Sequence, residues 1–223
     1  MKKPEIDLGI EKYTGSWLIK EENLFKARIG LTIWVLTVMI LTYIDNAQPM
    51  YPFTFTYLSY NGIFLYLISA LYISLMKRNE KYEDKVPQVV GWINSVLYQC
   101  SYCYHLIVPI VYWALLATDF ATYRPFTQAV SVLVHGFDFF IMTIEFILNR
   151  QQPTFFTVAL YVVISVLYMF WTWIYYSISN IWVVFVNINI VLFLKLVQIR
   201  ILDLLRRTIL CVYLIRGFQH LHP

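Results

Sequence analysis

The stretch FTQAVSVLVHGFDFFIMTIEFIL, residues 126–148, decides the fold of this chain. Its 23 residues are enough to cross the ~30 Å hydrocarbon core of a bilayer as an α-helix. The same stretch contains three ionisable residues, His135, Asp138 and Glu145. Ionisable groups are costly inside a membrane, and those that occur there usually have a function. The stretch therefore predicts a transmembrane helix that carries a working site.

The composition of the whole chain is that of an integral membrane protein. Hydrophobic residues make up 60% of it and charged residues only 13%, against about 25% charged residues in soluble domains. The apolar runs are continuous and longer than the strands of a membrane barrel, which predicts an all-α fold. We predict a single membrane domain over residues 1–223 with six spans. They lie at about 27–43, 53–76, 89–116, 126–148, 155–176 and 181–202.

The distribution of basic residues predicts the orientation of these spans. Of the 17 lysines and arginines, all but Arg124 fall on one side of the six-span arrangement. Because such residues accumulate in cytosolic loops, both termini are predicted to be cytosolic. The N-terminal tail is short, and the amphipathic C-terminal tail, residues 203–223, suits the membrane interface. We expect the first span to be retained as a signal anchor. This topology explains the net charge of +4, so no nucleic-acid partner is predicted; the sequence indicates no particular protein partner.

The sequence lacks the motifs of the familiar soluble enzymes. There is no G-x-S-x-G elbow, H-E-x-x-H helix, P-loop or dinucleotide-binding glycine motif. Cys100 and Cys103 have C-x-x-C spacing, but they lie in an apolar span without a second ligand pair, so a packing role is favoured. We predict neither a metal nor an organic cofactor. Any chemistry is then expected within the membrane.

Side-chain spacing predicts a hydrolytic site between two helices. Asp138 follows His135 by three residues, so a carboxylate could orient the imidazole. The missing nucleophile is a hydroxyl from another span. Counting from the lumenal face at 1.5 Å per residue, Ser59 lies at a depth of ~9 Å and His135 at ~14 Å. Thr56, one turn shallower on the same face, is the reserve nucleophile. Glu145 has no obvious basic partner, and we expect it to be neutral or hydrogen-bonded.

Two non-enzymatic interpretations remain open at this point. Serines in spans commonly bond to their own helix, and a His–Asp pair can simply hold helices together or support partner docking. The second of these interpretations, after the scaffold, is a small transporter. Transporters often have internal repeats and paired broken helices, whereas no clear repeat is visible and Pro109 alone predicts only a kink.

Two segments of the chain resemble a known family of six-pass membrane proteins. The first segment, VHGFD at 134–138, continues to Glu145, NR at 149–150 and Pro153; the second is YLSYNG at 57–62. Both are similar to the androgen-induced protein and androgen-dependent TFPI-regulating protein family, with rolling-stone-like and uncharacterised eukaryotic relatives. The resemblance covers about residues 51–182.

This resemblance implies a location and an activity. It implies a protein of the endoplasmic-reticulum membrane, or second the plasma membrane, that hydrolyses fatty acid esters of hydroxy fatty acids. Membrane lipid and a lipophilic acyl ester are the partners it implies. The family uses an intramembrane threonine and histidine, which correspond here to Ser59 and His135. Serine in place of threonine departs from the family pattern but retains a nucleophilic hydroxyl.

Overall fold

The computed structural model describes residues 9–45, 54–79, 86–151 and 155–179, and these residues are almost entirely helical. The α-helices are α1 Ile10–Thr14, α2 Glu21–Asp45, α3 Phe55–Arg78, α4 Gln88–Val111, α5 Pro125–Val132, α6 Asp138–Leu148 and α7 Phe155–Ser179. A π-helical turn, Tyr112–Leu116, and a 3-10 turn, Ala117–Thr122, follow α4. A second π-helical turn, Leu133–Phe137, joins α5 to α6, so that residues 125–148 form one long helix.

Local sequence explains where several of these helices begin and end. Thr54 caps α3 because its hydroxyl accepts a hydrogen bond from the N–H of Tyr57 at 3.4 Å. Lys77 and Arg78 in the last turn of α3 lie at the negative end of the helix dipole. Pro125 occupies the first turn of α5, where its missing N–H costs nothing.

Among the described residues, three helices are long and apolar enough to cross a membrane, judged by length and composition: Glu21–Asp45, Phe55–Arg78 and Pro125–Leu148. They contain or closely match the predicted spans 27–43, 53–76 and 126–148. The predicted spans 89–116 and 155–176 coincide with α4 plus its π-helical turn and with α7. The predicted span 181–202 and the tail 203–223 lie outside the described residues.

Neighbouring long helices run in opposite directions, so the end of one helix lies beside the start of the next at each end of the bundle. Helix α3 packs against α2 and α4, and α4 also packs against α6 and α7. At one end of the bundle Lys77 Nζ lies 2.6 Å from Glu21 Oε2. At the other end the hydroxyl of Thr127 donates to Asp45 Oδ1 at 2.8 Å. The site described below lies toward this second end, which is the predicted lumenal one.

The bundle exposes large aliphatic side chains on its outside, while its apolar core also encloses charged residues. Large aliphatic side chains such as Ile33 and Ile40 of α2 are more than half exposed, at 61% and 52%. By contrast, several charged or polar side chains inside the bundle are completely buried. These are Arg28, Asn94, His105, Asp138 and Glu145. Apolar surface outside and paired polar groups inside is the arrangement expected for helices surrounded by lipid.

The N-terminal segment from residue 9 onward packs against the long helices. Helix α1 packs against α2 and α3, with Ile10 and Tyr13 buried. Arg28 Nη1 donates to the carbonyl of Tyr13 at 2.7 Å, and Arg150 Nε donates to that of Ser16 at 3.1 Å. Residues 9–16 are therefore part of the bundle, because two arginines bind their backbone carbonyls.

Candidate active site

The helix that carries His135 is loosened where this residue lies. Residues 133–137 form a π-helical turn, and residues 112–116 at the end of α4 form another. Pro109 precedes the second of these turns and has no N–H to donate within α4. Single π-helical turns inside α-helices are rare and are often found at functional sites, because they free backbone groups from helical pairing. Here the two turns meet each other.

Contacts between the two π-helical turns hold His135 from both its ring and its backbone. Its imidazole stacks on the ring of Tyr112, with centroids 3.5 Å apart and planes 8° from parallel. Trp113 Nε1 donates to the carbonyl oxygen of His135 at 2.9 Å. The ring nitrogen Nδ1 of His135 is buried, and within the described part of the chain it has no hydrogen-bond partner. The imidazole is thus fixed in orientation, while Nδ1 makes no hydrogen bond within the described residues.

Ser59 lies close to this turn, but its side chain is directed elsewhere. Tyr60, the next residue, donates through its hydroxyl to the carbonyl of Leu133 at 3.4 Å, which places this part of α3 against the π-helical turn. The Ser59 hydroxyl donates to the carbonyl of Thr56 at 2.8 Å. The structure contains no hydrogen bond between the Ser59 and His135 side chains. Thr56, the reserve nucleophile, is half-buried and contributes only that backbone carbonyl.

Asp138 pairs with a histidine other than the predicted one. Its Oδ2 lies 2.6 Å from Nδ1 of His105 on α4, and its Oδ1 accepts the N–H of Phe139 at 2.8 Å. Both side chains of the pair are completely buried. The prediction that Asp138 orients His135 is therefore wrong in this structure. Spacing of i and i+3 on one helix brings two residues to the same face, but the carboxylate there meets the neighbouring helix.

The contact of the other nitrogen of His105, Nε2, shows that this nitrogen carries a proton. Nε2 lies 3.0 Å from the backbone carbonyl oxygen of Ser59. A carbonyl oxygen can only accept, so Nε2 must carry a proton in this arrangement. His105 therefore cannot take a proton from the Ser59 hydroxyl at the same time. Its contacts instead connect Asp138 on α6 to the backbone of α3 at the candidate nucleophile.

Glu145 also has a partner that the sequence did not suggest. Its carboxylate accepts three hydrogen bonds from Arg28, at 3.1 to 3.3 Å, and one from the hydroxyl of Tyr66 at 2.6 Å. Asn149 Nδ2 donates to the same hydroxyl at 2.8 Å. Glu145 is therefore hydrogen-bonded, as one of the two expected outcomes had it, but it does have a basic partner, which the sequence did not suggest. Arg28 had been counted among the cytosolic basic residues, whereas it lies completely buried beside the acid.

Sequence reasoning thus missed two functional partners, His105 and Arg28. For His105 a signal existed: the buried polar residues of α4 recur at positions 94, 98, 101 and 105, the spacing of one helix face. For Arg28 the signal was ambiguous, because an arginine near the start of a span is normally placed in the cytosol.

Comparisons of this chain with protein-family models, with curated proteins and with solved structures find no match. The resemblance described above therefore depends on its motif residues alone.

Proposed function

We propose that this protein is an intramembrane hydrolase of lipid acyl esters, of the class of fatty acid esters of hydroxy fatty acids. One observation carries the proposal: within the described residues, His135 keeps a buried ring nitrogen without a partner, while His105, Asp138 and Glu145 are fully engaged with one another or with Arg28. An imidazole that is held by stacking and has a free nitrogen suits a general base.

The proposed reaction uses Ser59 and His135 together. After a rotation of its side chain away from Thr56, the Ser59 oxygen attacks the ester carbonyl and His135 takes its proton. The same proton then passes to the departing alcohol oxygen as the ester bond breaks. Water hydrolyses the acyl-serine, again with His135 as base, and releases the fatty acid. Neither step requires a metal or an organic cofactor.

In this proposal Asp138 does not contact the reacting atoms and acts through His105. Through His105 it binds the carbonyl of Ser59 and fixes the height of the nucleophile relative to the π-helical turn. Asp138 and His105 are therefore positioning residues. We place the enzyme in the endoplasmic-reticulum membrane, with six spans, both termini in the cytosol and the site in the lumenal half.

A second candidate function is that of a non-enzymatic membrane protein. The observation that favours it is the Ser59 hydroxyl, which is bonded to its own helix as structural serines in spans commonly are. In this case the buried pairs hold the helices in place for packing or for a partner protein.

Labelling by a fluorophosphonate probe distinguishes the two functions, because the probe reacts with activated serines. The wild type and Ser59→Ala are purified, reconstituted in lipid and labelled, and turnover of a fatty acid ester of a hydroxy fatty acid is measured alongside. Ser74→Ala is the matched control, since Ser74 is also a buried serine of α3 that bonds to its own helix, at 2.9 Å from the carbonyl of Ala70.

The hydrolase proposal predicts labelling and turnover in the wild type and in Ser74→Ala, and neither in Ser59→Ala. A folded, reconstituted wild-type protein that is neither labelled nor active would favour the second candidate. Labelling that survives in Ser59→Ala would move the nucleophile to another residue, with Thr56→Ala as the next variant.

A further inference from the structure

The buried face of α4 is polar from Asn94 to His105. Asn94, Tyr98, Ser101 and His105 follow one another at helical spacing and are between 0% and 2% exposed. Between membrane helices, individual polar residues commonly hydrogen-bond to a neighbouring helix, whereas here four of them follow one another on a single buried face. Four successive polar positions therefore require an explanation beyond packing.

Helix α3 presents a matching row of residues in the opposite direction. The carbonyl of Ser59 binds His105, Gly62 faces Ser101, the ring of Tyr66 contacts that of Tyr98, and the hydroxyl of Ser69 accepts a hydrogen bond from Asn94 at 2.7 Å. Each residue of one row thus meets its counterpart in the other. We call these two facing rows the polar stripe.

Ionisable groups of α6 join the polar stripe at two levels. Asp138 binds His105, and Glu145, two turns further along α6, binds Tyr66. Beyond Tyr66 and Asn94, the residues Asn149 and Gln151 continue the hydrogen bonding into the loop after α6. The stripe runs along α4 from Asn94 to His105, a distance of 11 residue steps, or ~16 Å at 1.5 Å per residue.

Two hydroxyls in the middle of the polar stripe are buried without a partner among the described residues, those of Tyr98 and Ser101. Successive levels of the stripe are three or four residues apart, which corresponds to ~5 Å. Direct hydrogen bonds reach only about 3 Å, so successive levels would need a bridging water molecule to be joined. At the Ser101 level Gly62 lets the two helices approach closely, since a Cβ there would lie only 3.2 Å from the Ser101 oxygen.

We propose that the polar stripe is a path for protons through the interior of the bundle, completed by water at the levels of Tyr98 and Ser101. Hydroxyl groups both donate and accept hydrogen bonds, so each can pass a proton along the row. The carboxylate of Asp138, bound to His105, provides a site where a proton is held. Proton relays inside membranes are built from such acids and histidines. This function is independent of ester hydrolysis.

Proton flux into vesicles tests the path directly. The purified full chain is reconstituted in liposomes that contain a pH-sensitive dye, and a valinomycin-mediated potassium gradient drives protons inward. We expect acidification well above that of protein-free liposomes. Tyr98→Phe and Ser101→Ala each remove one hydroxyl from the path, and each is expected to reduce the rate at least tenfold.

Matched controls separate the path from general leakiness. Tyr72→Phe removes a hydroxyl from a tyrosine of α3 that is 50% exposed, and Ser74→Ala removes one that bonds to its own helix. Both are expected to retain the wild-type rate. Wild-type liposomes no more permeable to protons than protein-free liposomes would overturn the proposal. It would also be overturned if the wild-type rate persisted in the Tyr98→Phe, Ser101→Ala double variant.

Discussion

Nδ1 of His105 lies 2.6 Å from Oδ2 of Asp138, and both side chains are completely buried. This pair joins α4 to α6, and the second nitrogen of His105 extends the connection to α3 at Ser59. Three helices are therefore held at one level of the bundle by two side chains. Removal of either side chain would leave the other buried without its partner, which predicts a loss of stability.

We expect Asp138→Ala to destabilise the protein by roughly 3 kcal/mol, because it leaves His105 buried without its acid. His105→Ala is expected to have a similar effect. The double variant should cost much less than the sum of both, since each single change removes the same interaction. Thermal unfolding in detergent measures all three. Fully additive losses would show that the two residues do not act as a pair.

Glu145→Gln is also expected to be strongly destabilising, by roughly 3 kcal/mol, because the change leaves the buried charge of Arg28 without a counter-charge. Replacing both residues by apolar ones of similar size, as in Arg28→Met with Glu145→Leu, should recover most of the loss.

The exposed pair of Glu22 and Lys26 provides the control for this series. These side chains are 67% and 66% exposed, and their atoms are 2.6 Å apart. Exposed ion pairs contribute little, so Glu22→Gln should leave the unfolding midpoint unchanged. A tolerated Glu145→Gln would instead show that the negative charge of Glu145 contributes little beside Arg28, in line with the sequence expectation of a neutral or hydrogen-bonded acid.

Gly62 of α3 lies in close contact with Ser101 of α4, and a substitution can test this contact. An alanine there would place its Cβ 3.2 Å from the Ser101 oxygen, whereas at Gly30 of α2 nothing lies within 4 Å. Alanine in place of a helical glycine gains about 1 kcal/mol in propensity. We expect that gain for Gly30→Ala but not for Gly62→Ala. Ser101→Ala combined with Gly62→Ala should recover it, as unfolding midpoints would show. Equal gains at both glycines would contradict the close contact.

The helical membrane architecture was predictable from the sequence, but the partners of its ionisable residues were not. Continuous apolar runs define helices such as 126–148 without any knowledge of their neighbours. The partner of Asp138 depends instead on the rotation of its helix and on which helix lies opposite. A single sequence gives neither quantity. Position along the chain was misleading for Arg28 as well, since the helix that starts at Glu21 carries it into the bundle beside Glu145.

The predicted orientation has its own test. The contact of Lys77 with Glu21 places the end of α3 and the start of α2 at one end of the bundle. The contact of Thr127 with Asp45 places the start of α5 and the end of α2 at the other. With cytosolic termini, the loop at 119–124 is lumenal. We expect a glycosylation acceptor inserted in this loop to be modified in microsomes, and N- and C-terminal tags to be cleaved by added protease. A protected C-terminal tag with an accessible N-terminal tag would exclude the six-span arrangement.

The last prediction identifies which histidine is the base of the proposed hydrolase. If His135 accepts the proton of Ser59, His135→Ala should abolish turnover, and adding Ser59→Ala to it should lower the rate hardly further, because members of one catalytic unit are strongly non-additive. Added imidazole should restore part of the activity of His135→Ala, since the space left beside Tyr112 can accept the free base. His105→Ala, by contrast, should lower stability and reduce turnover only in part, with no rescue by imidazole.

Turnover of the acyl ester and the unfolding midpoint are measured for each variant, with and without imidazole. Ser59→Thr restores the threonine of the resembling family and should retain part of the activity, because it keeps the hydroxyl while adding a methyl group. If His105→Ala were inactive but stable and were rescued by imidazole, the base would be His105, and its bond to the Ser59 carbonyl would have to break in the reacting complex. Unchanged turnover in His135→Ala would remove this histidine from the mechanism.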